Sequence, residues 1–421
     1  MARSISQGLF LLVLCILLQD HIQALKQSYI VYLGSHSFGQ NPSSVDQESV
    51  TNSHYDFLGS YMGSIDLAKE AIFYSYNKHI NGFAALLDED EAANVASVWP
   101  ESHSFSDEGF GPIPKRWRGK CQTEDNFSCN RKLIGARYYF KGYESSVGQK
   151  LNETLSARDY EGHGSHTLST AGGSFVPGAS VFGKGNGTAS GGSPKARVAA
   201  YKACWSKGCF DADILAAFED AISDGVDVIT MSLGSDDPPE FFESAISVGS
   251  FHAVALGITV VASGGNSGPT LGSVSNNEPW IFTVGASTID RNFVSYVTLG
   301  NKKIFKGASL SQYGSPSNKK YPLISGLEAK AWSASSFHAP YCLNGSLDAE
   351  KVKGKILFCV RGVNGRIEKG VIAASVGAVG MILANDMDSG NEIISDPHVL
   401  PASLVDYESG NYIYSYINRT K

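Results

Sequence analysis

A doubly wound α/β fold is what residues 197–285 predict, and three observations carry the prediction. Strand-like and helix-like runs alternate there, the strand-like runs are continuously apolar rather than alternating, and the same alternation restarts beyond residue 300. Catalytic groups in such a sheet belong at the carboxyl ends of the strands.

The elements follow in chain order. Residues 29–33 are β-branched and aromatic and predict a strand, and a polar helical stretch covers 44–71. Strands are expected at 72–76 and 82–87, and Asp88 is placed to cap a short helix through 96. Together these make a small α+β module of about 70 residues. Between 99 and 162 the text is rich in Gly, Pro and Ser with little periodicity, which reads as surface loops pinned by Cys121 and Cys129. A strand at 198–203 precedes a helix at 211–224 with Ile214, Leu215, Phe218, Ala221 and Ile222 on one face. Then come a strand at 226–231, a helix at 240–256, and strands at 258–262 and 281–285. A second, smaller α/β unit is expected from a strand at 355–360, a helix at 367–376, a strand at 381–384 and a helix at 407–418. No tandem repeat appears.

Length and composition bound the function classes. A chain of 421 residues, 43% hydrophobic, holds two to four domains with substantial cores, which excludes disordered and fibrous classes. A net charge of −7 offers no footprint for phosphate backbones, so nucleic acid is not an expected partner. Arg3, an apolar run over 9–18 and Ile22-Gln23-Ala24 together read as a secretory signal over residues 1–24, a run too short to span a bilayer. No later segment is long and apolar enough to span one either. With Cys15 removed alongside the signal, six cysteines remain, an even number that suits disulfides. Six allow 15 pairings, of which the simplest joins sequence neighbours: Cys121 with Cys129, Cys204 with Cys209, Cys342 with Cys359. Sequons at Asn126, Asn152, Asn186, Asn344 and Asn418 fit the same secreted route.

Two stretches carry chemistry. In Arg158-Asp159-Tyr160-Glu161-Gly162-His163-Gly164-Ser165-His166-Thr167, glycines flank an imidazole at a helix start. Such a histidine serves as a general base toward a hydroxyl nucleophile because its ordinary pKa lies near 6.5. A metal pair of His163 and His166, or a structural role, are the alternatives, and no third ligand is evident. In Val260-Val261-Ala262-Ser263-Gly264-Gly265-Asn266-Ser267-Gly268, a strand runs straight into an amide that can donate to a developing oxyanion. The alternatives are a plain turn, or Ser267 as a nucleophile of the chymotrypsin type, a fold that is all-β.

These strings, with Val98-Trp99-Pro100-Glu101-Ser102, Ser104-Phe105-Ser106-Asp107-Glu108-Gly109, Tyr201-Lys202-Ala203-Cys204-Trp205 and Gly208-Cys209, resemble the plant subtilisin-like serine proteases. The resemblance implies a sheet of subtilisin type, incomplete here. It makes residues 28–97 an incomplete inhibitor-type propeptide, 98–314 part of the catalytic domain, and 315–421 an inserted protease-associated α/β domain cut by the chain end. His163 matches the family's general base and Asn266 its oxyanion donor. Ser232-Leu233-Gly234 resembles the strand edge that aligns the substrate backbone. The implied partners are polypeptide substrates or a related protease, with no cofactor and no metal. The implied location is extracellular, in the apoplast or cell wall.

The chain departs from the family in two places. The triad aspartate belongs in an Asp-Thr-Gly context just before Val98, and Val95 holds its position. The nucleophile belongs in Gly-Thr-Ser-Met downstream of the inserted domain, a string expected beyond Lys421 and absent from the 421 residues. Asp159 does not replace the carboxylate, since four residues along a loop into a helix start do not bring it behind the imidazole. The expectation is therefore a subtilase chain inactive as it stands, or alternatively a binding or inhibitory protein acting through the propeptide-like or protease-associated module. A sheet without its central strand is also expected to leave strand edges unpaired and apolar faces bare.

Overall fold

The structure, a computed structural model, describes residues 27–36, 42–62, 64–87, 97–235, 239–268, 270–311, 313–314 and 319–420. The signal over 1–24, the helix expected at 88–96 and the Val95 position lie outside the described residues. The chain divides into two compact units, residues 1–176 with 189–286 and residues 177–188 with 287–421.

The first unit opens with strand β1 (Gln27–Ser35), helices α1 (Ser44–Met62) and α2 (Ile65–Ala71), and strands β2 (Ile72–Tyr76) and β3 (Ile80–Leu87). The single helix expected over 44–71 is two helices, because Ser64 starts a new one by accepting a hydrogen bond from the Asp66 N–H. β3 is the central strand of an antiparallel sheet ordered β1-β3-β2. Its alternation divides the packing: Phe83 and Ala85 join Leu58, Ala68 and Ile72 in the module's own core, while Ile80 and Ala84 face outward into a larger cluster.

Beyond residue 97 come β4 (Leu133–Tyr138), α3 (Lys141–Val147) and α4 (His163–Gly172), followed by a hairpin of β5 (Val176–Val181) and β6 (Lys184–Ala189) whose residues 177–188 belong to the second unit. β4 and α3 occupy a stretch expected to be loops. Next are β7 (Val198–Lys202), the short pair β8 (Cys204–Trp205) and β9 (Gly208–Cys209), α5 (Asp211–Asp224), β10 (Val228–Met231), α6 (Ala245–Ala255), β11 (Thr259–Ser263) and β12 (Phe282–Val284). The helix expected from 240 starts at Ala245 instead, where the Ser244 hydroxyl accepts from the N–H groups of Ile246 and Ser247. α5 has the limits the sequence predicts, closed by Gly225 at a φ of +85°.

The parallel sheet of this unit is in two pieces. β4 pairs with β7, and β10, β11 and β12 pair in that order, all in parallel. Between the edges of β7 and β10, unpaired among the described residues, runs a trough of about 680 Å³, lined by Val198, Ala200, Tyr201, Ile229, Met231 and Leu233 and walled by α4 and α5. The expected unpaired edges lie beside this trough, but its apolar lining is not bare: Val198, Ala200 and Met231 are buried.

The second unit holds β13 (Val294–Thr298), β14 (Ile304–Ala308), β15 (Leu323–Ser325), α7 (Ala349–Val352), β16 (Ile356–Val360), α8 (Arg366–Ser375), β17 (Gly380–Ala384), β18 (Ala402–Val405) and α9 (Tyr407–Arg419). They form one six-stranded sheet ordered β13-β14-β18-β17-β16-β15. β13 and β14 precede residue 315 and are hydrogen-bonded into this sheet through the β14–β18 pairing. β17 is buried along its whole length, with Met381 and Leu383 packed with Ile372 of α8, and Ile382 and Ala384 packed with Ile413 and Ile417 of α9. Helices thus cover both faces, as a parallel strand of unbroken apolar residues requires.

All three neighbouring cysteine pairs are disulfides, Cys121–Cys129, Cys204–Cys209 and Cys342–Cys359. Among the described residues, no helix is long and apolar enough to cross a membrane.

Candidate active site

His163 is the first residue of α4, and its position is fixed by the two glycines beside it. Gly162 takes a φ of +110°, a left-handed value that side chains resist. A Cβ on Gly164 would sit 2.1 Å from the Ser97 carbonyl oxygen, so only glycine lets the helix start press against the 97–99 segment. The Trp99 N–H donates to the Ser165 hydroxyl at 2.8 Å, and Val98 bridges Arg158 in parallel. The imidazoles of His163 and His166 are exposed. Among the described residues, no three His, Cys, Asp or Glu side chains gather as a metal-binding group.

Asp159 is a staple of this loop. Its carboxylate accepts from the Ser97 hydroxyl at 2.8 Å and from the N–H groups of Glu161, Gly162 and Ser165 at 3.1, 2.8 and 2.7 Å. Burial works to raise its pKa, but the Gly162 N–H and the Ser165 and Ser97 donors outweigh burial and hold it at about 2. Its oxygens serve the turn and the first turn of α4, so they orient His163 through the backbone.

Asn266 and the Ser232-Leu233-Gly234 edge are brought to neighbouring strand ends, β11 and β10. The residue that ties them was not visible as a motif. Asn276 is buried, and its amide donates to the Leu233 carbonyl at 2.7 Å and the Ser263 carbonyl at 2.9 Å. Its own carbonyl accepts from the Thr283 hydroxyl on β12. The one residue therefore ties all three strands, its side chain joining the ends of β10 and β11 and its backbone carbonyl holding β12, with Asn266 exposed just beyond β11. In sequence Asn276 stands in Ser275-Asn276-Asn277, which reads as a turn, and only long-range pairing gives it this task. Ser97 and Gly164 line the same trough as Ser232 and Leu233, so the His163 helix and the substrate-edge candidate open onto one cavity.

On its other side, the first unit clasps the N-terminal module through α5. The buried Glu219 carboxylate accepts from the backbone N–H groups of Lys78 at 2.6 Å and of His79 and Ile80 at 3.1 Å, capping the β2–β3 turn. Burial lifts its pKa to about 7 despite those donors. Asp213, lifted by burial to about 6, accepts from the Tyr74 hydroxyl at 2.7 Å and from the N–H groups of Gly142 and Tyr143. Lys78 pairs with Asp220 at 2.6 Å, and His79 meets the Ser223 hydroxyl at 3.1 Å. No motif in the sequence announces this interface, because its partners lie 139 to 144 residues apart and Glu219 acts on backbone N–H groups.

Comparison with known proteins places the chain. Residues 44–342 match the model of the subtilase family, and residues 319–413 match a PA domain. Subtilisin-like protease SBT5.4 of Arabidopsis thaliana is 51% identical over 458 residues, covering 94% of this chain and 58% of the relative. Subtilisin-like protease SBT5.3 of the same plant is 48% identical over 476 residues, covering 98% of this chain and 62% of the relative. A subtilisin-like protease of Glycine max is 47% identical, covering 89% and 56% respectively. The chain thus spans less than two thirds of the length of these relatives. The two Arabidopsis alignments are longer than the 421 residues of this chain, so each relative carries internal residues that this chain lacks. With a family model over most of its length and relatives near half identity, the chain belongs to the subtilase family.

Proposed function

We propose that this chain is a secreted subtilisin-like serine endopeptidase in lineage, with His163 in the general-base position, Asn266 in the oxyanion position and Ser232-Leu233-Gly234 as the substrate-backbone edge. In this reading residues 1–421 by themselves do not hydrolyse peptides, because Val95 occupies the carboxylate position before Val98. The observation that carries the reading is the trough between β7 and β10, which has the free edges and apolar lining of a sheet without one central strand. The strand that ends in the catalytic aspartate is the one the sequence lacks before Val98. Residues 28–97 act as the inhibitor-type module, supported by the Glu219 cap on its β2–β3 turn. Secretion and glycosylation are supported by three disulfides and by exposure of all five sequon asparagines.

Two measurements test this. The purified chain is expected to release no casein fragments and to take no label from a fluorophosphonate, since a triad without its serine has no covalent route. A label mapped to a serine within residues 98–421 would overturn the inactive reading. Sequencing the transcript across the codons for Ser97-Val98 is expected to reveal a longer message that restores Asp-Thr-Gly. A message that encodes only this junction favours the second reading, a binding protein that holds related proteases through its N-terminal module. That reading predicts inhibition of such a protease in trans.

A further inference from the structure

The second unit carries a cavity that the triad chemistry does not use. Ser325, Val360 and Ala384, the last residues of β15, β16 and β17, open onto a space of about 280 Å³. The carboxyl ends of adjacent parallel strands are where open α/β sheets form binding crevices. Phe358, Tyr407 and Tyr414 make an aromatic wall, with the Phe358 and Tyr414 rings 6.0 Å apart. Leu327 and Met387 stand at the mouth, Met387 72% exposed. The mouth is preformed: Asn385 is buried, and its amide donates to the Gly390 and Glu392 carbonyls at 3.0 and 2.5 Å, which fixes the loop that follows β17.

Among the described residues, Asp386 is the one charged residue in the cavity's lining. It accepts only a backbone hydrogen bond from the Ser389 N–H at 2.9 Å, and forms no ion pair among the described residues. The nearby cations hold other hydrogen-bond and ion-pair partners, although the buried Lys369 also feels the Asp386 charge. Lys369 donates to the Tyr341 and Gly362 carbonyls at 2.7 and 2.8 Å and to the Asn364 side chain, and Arg361 pairs with Glu392 at 2.6 Å. The space is smaller than the roughly 300–1,000 Å³ that encloses a whole drug-sized ligand, and it suits one large side chain. β15, whose last residue lines the cavity, is among the described residues the edge strand of its sheet, the position at which an extended backbone adds by pairing.

We propose that this cavity is a peptide-docking site that takes an aromatic or large aliphatic side chain of an extended polypeptide, with an adjacent lysine or arginine of that polypeptide on Asp386. The site is independent of the triad and of whether the chain hydrolyses anything.

The test uses the full chain and fluorescein-labelled Gly-Gly-Phe-Lys-Gly-Gly, acetylated and amidated, read by anisotropy. Saturable binding is expected, and peptides with Glu for Lys or Gly for Phe should bind at least about tenfold more weakly. Asp386→Asn should bring the Lys and Glu peptides within about twofold of each other. Met387→Lys, a change at an exposed mouth residue, should do the same with the melting temperature unmoved, which guards against misfolding of the first variant. The proposal is overturned by absence of saturation up to about 1 mM, or by a Lys preference that survives both substitutions. Phenethylamine competing as tightly as the peptide would equally overturn it, by assigning the site to small amines.

Discussion

The two units hold parallel sheets built from the same kind of sequence, and they end in different states. In the second unit β17 has a strand on each side and a helix on each face, and all five of its residues are buried. In the first unit β10 has, among the described residues, a partner only on the β11 side, and Val228 on it is 55% exposed. Both strands are short and apolar, so their own residues do not explain the contrast. What differs is the neighbour: a continuous apolar run is stabilised only when both edges and both faces are occupied. The gap is local, since the far side of the first unit is packed, with Ile80 and Ala84 of the N-terminal module joined to Phe218 and Ile222 of α5 in one cluster.

The largest effect should come from closing the gap. Splicing before Val98 an apolar strand that ends in Asp-Thr-Gly should fill the trough and pair both free edges. Three buried aliphatic side chains at about 1.5–3 kcal/mol each make a gain on the order of 5 kcal/mol. Denaturant midpoint and loss of dye binding to exposed apolar surface report it. An unchanged midpoint would mean the trough is not the seat of a strand.

Truncations inside the existing strands sharpen the same contrast. Leu383→Ala, at a fully buried site between α8 and its sheet neighbours, should cost about 4 kcal/mol. Val261→Ala, on the trough side of β11, should cost less than about 1 kcal/mol, because that side chain already borders open space. Equal costs, measured by chemical unfolding, would contradict the difference in packing.

How much of this was legible in the sequence depends on range. α5, β16, α8, β17 and α9 were read nearly to their limits because period and punctuation coincide, as where Gly225 closes α5. His163 and Asn266 stood out because glycines at +110° and beside a strand end leave a mark in the text. β4 was lost in a loop because Gly135 interrupts a six-residue run whose partner, β7, lies more than sixty residues on. The sequence excludes Asp159 as the triad carboxylate and puts Glu219 inside an expected helix, but it marks neither of them, nor Asn276, for the task each performs. Asn276 and Glu219 act on backbone groups 13 to 141 residues away, Asp159 joins its own turn to the Ser97 hydroxyl 62 residues back, and such partners leave no local signature.

A smaller effect probes the packed side of the first unit through pH. Burial, helped by the Lys78 charge, holds His79 down at about 4, so the stability it lends to docking is complete above 6.5 and lost as pH falls toward 4. Burial lifts Glu219 from 4.5 to about 7, so its share is complete below 4.5 and lost as pH rises through 7. Asp213 sides with Glu219, and His36 and His252, lowered by burial, side with His79. The wild-type profile is the shallow difference of opposing slopes. His79→Phe should make hydrogen-exchange protection of β2 and β3 rise as pH falls from 7 to 4.5. Glu219→Gln should make it fall between 6.5 and 4. Each change should reach about tenfold, since one pKa unit corresponds to that factor. Protection in β16 and β17 should stay level in both variants, and parallel changes there would show global unfolding instead.

The smallest effect lies at the junction where the interrupted sheet meets the candidate site. Asp159 is held at about 2, below its ordinary 3.8, so its contribution is present above 3.8 and lost as pH falls toward 2. Ser97→Ala removes the hydroxyl that donates to it at 2.8 Å, at a cost of about 1 kcal/mol, and leaves three N–H donors in place. Acid unfolding should therefore begin at a higher pH, while stability near neutrality falls only slightly. The matching change in the second unit is Ser409→Ala, which removes a hydroxyl 3.0 Å from Asp406 and keeps the Ser409 N–H bond to the same carboxylate. Half-buried and exposed to screening, it should cost only a few tenths of a kcal/mol. If Ser409→Ala proves the costlier, then the 97–99 segment is not held by Asp159, and the seating of α4 rests on the Gly164 contact alone.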